Sequence, residues 1–198
     1  TITVAPVNDV PTLDVIANQT VNEDDASEQT VDLTGISAGP VNEVEGIRVS
    51  ATLDNSSTVA IATGAHVIGD TLTIDGTVFT YVDLGVVTTP LATEIAVSAT
   101  DSTQDVATKT AAVINAHLGA VYVTARANTI STTLSVAASS TDRFAIMSAA
   151  DIVGSITVEY NSRDNTGTLR YNPPADAFGQ VTITVTTEDA GVDGIFEN

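Results

Sequence analysis

Residues 5–32 read APVNDVPTLDVIANQTVNEDDASEQTVD, and the rest of the chain is understood outward from them. They join a short strand and a proline-flanked linker to an acidic cluster. Asn8 and Asp9 lie between Pro6 and Pro11. Each proline fixes φ, removes a donor and pushes its predecessor towards an extended shape. Further on comes Asn22-Glu23-Asp24-Asp25. Carboxylates and side-chain amides at a stiff junction are the oxygen ligands that a hard cation such as calcium takes. The same residue types are ordinary turn formers, so solvated turns are the competing reading.

On the N-terminal side of the linker, Thr1-Ile2-Thr3-Val4 alternates as a half-buried strand. On the other side, Leu13, Val15 and Ala17 alternate with polar residues, predicting a second strand. A third is predicted over 30–33, closed by Gly35, and 37–45 reads as loop around Gly39-Pro40. Ile47, Val49, Ala51 and Leu53 alternate cleanly across 46–53, and a turn at 54–56 leads into a strand over 58–62. Short strands with regular turns predict an antiparallel all-β layer structure.

From residue 63 the texture changes. Asp75-Gly76 between 71–74 and 77–81 predicts a tight hairpin, because Asp-Gly supplies positive φ. Residues 101–118 predict the chain's one helix. Ser102 and Asp105 have capping spacing, Ala107, Ala111, Ile114 and Leu118 share a face, and Gly119 ends it. Strands are expected at 120–125 and 129–136. All-β texture resumes with 156–160 and 168–171 about a hairpin loop, then 180–187, where Val181, Ile183 and Val185 alternate. The acidic, glycine-rich tail from Glu188 offers little that packs.

Three stretches carry a family resemblance: TITVAPVNDVPTLD at 1–14, TVNEDDASEQTVDLTGISAG at 20–39 and NTGTLRYNPPADAFGQVTITVTTEDAG at 165–191. Together they resemble one bacterial cadherin-like or immunoglobulin-like tandem repeat of giant surface proteins and adhesins. The resemblance implies an antiparallel β-sandwich over 10–62 and 152–198, interrupted by an inserted α+β domain over 63–151. Residues 1–9 would then be the closing strand of a preceding or neighbouring repeat plus linker, so the sandwich lacks that strand in cis. Calcium between neighbours is implied, with Asn8, Asp9, Glu23, Asp24, Glu188 and Asp189 as ligands and Asp25 and Asp193 as weaker ones. Thr1, Ile2, Thr3, Val4 and Ala5 form the expected assembly strand, and Val181, Ile183 and Val185 the groove that accepts it by β-augmentation.

Charge narrows the partners. Lys and Arg number 6 against 25 Asp and Glu, a formal net charge of −19, which opposes nucleic acid and anionic lipid and suits cations. No apolar run is long enough to span a bilayer, and the absence of cysteine leaves no disulfide framework. The first residues lack a charged leader region, so the chain reads as a processed or excised piece of something longer. His66 and His117 are the only imidazoles, and no triad order, HExxH spacing or phosphate-binding glycine motif occurs. Lys109, placed on the helix, argues against an isopeptide cross-link. The expectation is a non-enzymatic, extracellular or cell-surface repeat that assembles head to tail with other copies. The alternative is a cell-surface binding module whose α+β insert recognises a glycan or a protein. Against that alternative, Phe79, Tyr81, Tyr122 and Phe144 read as core.

Overall fold

The computed structural model describes residues 1–2, 7–22, 25, 27–141, 143–191 and 194–196. The expected ligands Glu23, Asp24 and Asp193, and Thr3, Val4 and Ala5 of the expected assembly strand, lie outside the described residues. The fold is mainly β with antiparallel sheets, and the chain divides into two compact units. One comprises 1–53, 153–176 and 183–198; the other comprises 54–152 and 177–182.

In the first unit, β1 (Gln29–Thr34), β12 (Thr166–Tyr171) and β11 (Ile156–Glu159) form an antiparallel sheet in the order β1-β12-β11. A second sheet has two strands, β2 (Ile47–Leu53) and β13 (Ile183–Asp189), with Ile183 opposite Leu53 and Asp189 opposite Ile47. Val31, Leu33, Ile36, Ile47, Leu169 and Tyr171 are buried, so alternate residues of both sheets point into one interior. That arrangement is consistent with a β-sandwich. Ala190 is buried too, and the Arg48 guanidinium lies 5.0 Å above the Phe196 ring, so the tail packs more than its composition promised.

The strand expected over 13–17 does not form. Thr12 and Ser37 make a single bridge, Asp14 N–H donates to Thr34 O at 2.9 Å, and Val15 is fully exposed. Side chains take over where the ladder stops. Thr34 Oγ1 donates to Asp14 Oδ2 at 2.8 Å, and the Asp14 carboxylate covers Gly35, whose φ is +68°. A Cβ at Gly35 would lie 2.4 Å from Asp14 Oδ1, so another residue there would displace the Asp14 carboxylate as well as strain the positive φ that suits glycine.

In the second unit, β3 (Ser57–Ile61) is a central strand between β10 (Phe144–Ser148) and β8 (Thr129–Thr132), with β7 (Val123–Arg126) outside β8. The strand assigned from sequence to the sandwich therefore belongs to the other unit, and the boundaries fall near 54 and 152 rather than 63 and 151. A second sheet has the order β6-β5-β4-β9, from β4 (Thr71–Ile74), β5 (Thr77–Asp83), β6 (Glu94–Val97) and β9 (Val136–Ala138). The β4–β5 turn has positive φ at both Asp75 and Gly76, as the sequence predicts. Helices α1 (Gly64–Val67) and α3 (Ala149–Val153) are short additions to the expected α2 (Thr103–Leu118), so the described residues hold three helices rather than one. α3 closes where the units meet in sequence.

α2 carries the expected capping box: Asp105 N–H donates to Ser102 Oγ at 3.2 Å, and Ser102 N–H donates to Asp105 Oδ2 at 3.1 Å. Val106, Ala107, Thr110, Ala111 and Ile114 are buried. Ser102→Ala should cost about 1 kcal/mol, read as a lower melting temperature. Hydrogen bonds from the Ser102 hydroxyl and N–H hold the Asp105 carboxyl below its ordinary value. A depressed folded-state pKa adds stability above the unfolded value that is lost as pH falls through the folded one. The Ser102→Ala deficit should therefore shrink in acid; a deficit independent of pH would show the box to be inert.

Candidate functional site

The first unit brings together two features that the sequence nominates. One is the outer edge of β13, which among the described residues has a hydrogen-bonded neighbour, β2, on one side only. Ile183 and Val185 point inward, as predicted, but remain half-buried. Val181 is also half-buried and falls in 177–182, within the second unit. Thr1 and Ile2 belong to no sheet, and Ile2 is 93% exposed.

The other feature is an acidic cluster at the C-terminal end of β13. Asn8 Nδ2 donates to Asp189 Oδ1 at 3.1 Å, joining linker and last strand within one chain as the resemblance implied only for neighbours. The same Asp189 oxygen accepts from Gly191 N–H at 2.8 Å. Asp9 sits beside Gly39 together with Glu43: a Cβ on Gly39 would lie 3.0 Å from both Asp9 Cβ and Glu43 Cγ. Burial, a hydrogen bond with Glu45 and the negative charges of Glu45, Asp9 and Asp189 raise the Glu43 carboxyl above its ordinary value. Glu45 Oε2 is buried without a hydrogen-bond partner among the described residues.

Two nominated ligands are engaged elsewhere. Glu188 forms an ion pair with Arg48, its cross-strand partner, at a position where both side chains are well exposed. Asp25 accepts from Ser27 N–H at 3.3 Å and from the Ser27 hydroxyl, and those bonds lower its pKa. It is a turn residue. Glu43 and Glu45, by contrast, join the cluster although they read as loop in the sequence. Their only signal was two acids spaced by one residue after Gly39-Pro40. The donors suit a hard cation, but among the described residues no three His, Asp or Glu converge closely enough to hold a metal.

The imidazoles are accounted for locally. His66 Nδ1 lies 2.7 Å from Thr63 Oγ1, and the His117 ring meets Phe79 edge to face with centroids 5.5 Å apart. Lys109 is paired with Asp101 at 2.5 Å. Phe79, Tyr81 and Phe144 are core, whereas Tyr122 is 46% exposed and departs from the expectation. In the second unit, Leu84, Leu91, Ala96, Val113 and Ala116 line a shallow apolar groove beside α2. No helix among the described residues is long and apolar enough to cross a membrane. No protein-family model, curated protein or solved structure matches the chain.

Proposed function

We propose that this chain is a non-enzymatic, extracellular structural and adhesive repeat of the cadherin-like or immunoglobulin-like kind. Copies or consecutive repeats join head to tail, a neighbour's residues 1–5 completing the sheet beside β13. The observation that carries this reading is the half-open sheet: among the described residues β13 has one partner, and Ile183 and Val185 beneath its edge are only half-buried. An unpaired edge over apolar side chains is a hazard that natural sheets cover. The exposure of Ile2 and its absence from every sheet support a partner outside the chain.

A peptide of residues 1–9 tests this directly. Added to a chain lacking residues 1–5, it should raise the melting temperature in proportion to its occupancy, as any ligand of the native state does. A melt that ignores the peptide at millimolar concentration would sink the reading.

Calcium completes the proposal. Asn8, Asp9, Glu43, Glu45 and Asp189 gather oxygens whose mutual repulsion a cation would relieve, drawing them into a tighter site. Excess chelator should lower the melting temperature, and Asp189→Ala should remove most of that calcium dependence. Identical melts with calcium and with chelator would return the cluster to solvated turns. The groove beside α2 favours the second reading, an insert that takes a ligand. Its test is whether Leu91→Asp changes attachment to a cell surface while leaving assembly intact.

A further inference from the structure

We propose that the first unit carries a binding groove for a neutral oligosaccharide on the solvent face of the β1-β12-β11 sheet, away from the β13 edge and independent of the assembly reading. The groove, about 790 Å³, runs from the sheet face into the β11–β12 hairpin loop. That volume lies within the range of small-molecule sites. Thr168 is paired with Asp32 on one side and with Glu159 on the other, so a carboxylate, a hydroxyl and a carboxylate line up across three strands. At strand spacing the row spans roughly 10 Å.

An aromatic ring closes one end. The Tyr160 hydroxyl donates to Asp164 O at 3.0 Å and accepts from Arg163 N–H at 2.9 Å, which fixes the ring against its own loop. The ring lies over Gly167, where a Cβ would come within 3.3 Å of Tyr160 Cδ2. A side chain held in place before binding gives up little rotamer freedom when a ligand arrives. Asn161 adds an amide to the rim.

The chemistry selects the ligand. The carboxylates of Asp32 and Asp164 carry no hydrogen bond among the described residues, so their lone pairs are open to hydroxyl donors. Arg170, the cation paired with Glu159 of the row at 2.9 Å, is also held by Glu28 at 2.7 Å. With three acidic residues in the groove and a net charge of −19, sulfated and sialylated glycans are repelled. The lining is mostly polar, which disfavours lipid. A neutral pyranose offers what the groove lacks: several hydroxyl donors for the carboxylate row and a face of C–H groups for the tyrosine ring.

Affinity electrophoresis tests the proposal with the whole chain, in native gels cast with dextran, galactomannan or arabinoxylan. At least one should retard the chain, equally in dilute buffer and in about 0.5 M salt, since contacts to a neutral sugar are little screened. Tyr160→Ala and Asp32→Ala should each weaken retention about tenfold or more, and Tyr160→Phe, which keeps the ring, should retain it. The Asp32 side chain is exposed and makes no hydrogen bond among the described residues, so its variant carries the test even if Tyr160→Ala fails to fold. Retardation in none of the gels, or retention unchanged by Asp32→Ala, would overturn the proposal. So would binding that salt abolishes and oligolysine displaces, which would mark a site for basic peptides.

Discussion

A chain carrying Ile2→Asp and Val4→Asp together should remain monomeric at concentrations where the unaltered chain associates, with its melting profile otherwise unchanged. Alternation places these two side chains on one face of the proposed donor strand, with Thr1 and Thr3 on the other. Seated over Ile183 and Val185, they would bury apolar area at about 25 cal/mol per Å² and pair the edge of β13 that has no partner among the described residues. Two carboxylates in that position would be desolvated without partners, beside a cluster already rich in negative charge. Light scattering over a concentration series reads the outcome. Association that survives both substitutions, or survives deletion of residues 1–5, would remove strand donation as the mechanism.

Phe144→Ala should be the most damaging single change in the second unit. Phe144 is buried, lies on β10 opposite Ile61, and stacks on Tyr81 with ring centroids 5.6 Å apart. Tyr81 in turn reaches the α2 hydroxyl of Thr110 at 2.9 Å, so one ring ties a sheet to the helix. Truncation leaves a cavity at that junction and should cost about 3–5 kcal/mol. For a unit of this size the midpoint should fall by more than about 10 °C. A loss below 1 kcal/mol would mean that the core collapses around the gap.

The sequence announces local devices better than it announces partnerships. The Asp75-Gly76 turn, the Ser102–Asp105 box and the Gly119 stop are each decided by a few adjacent residues, and each forms as read. β6 and β10 pass unnoticed because Glu94–Val97 is too short for a periodic signal and the burial of Phe144–Ser148 does not alternate. The allegiance of β3 was illegible for a different reason. Its residues suit a strand in any sheet, and only packing against β8 and β10 decides which one. The acidic cluster was half legible. Asn8, Asp9 and Asp189 stand in stiff or strand-end positions, whereas Glu43 and Glu45 are recruited by a loop whose course no local rule fixes.

The second unit is built from two separate stretches, and this bears on how such a unit is transplanted. A guest inserted at one loop can be lifted out by a single pair of cuts. Here the chain passes between units at 53, 152, 176 and 182, and the short return segment 177–182 is part of the second unit. Gly179 seals it in place: with φ at +133°, a Cβ there would fall 2.7 Å from Ile152 Cδ1 and from Thr58 Oγ1. Recombination that moved 54–152 alone would strand this lid in the donor and leave Thr58 and Ile152 uncovered in the recipient. A transplant of the second unit should therefore carry 177–182 along with 54–152, which takes two pairs of cuts rather than one.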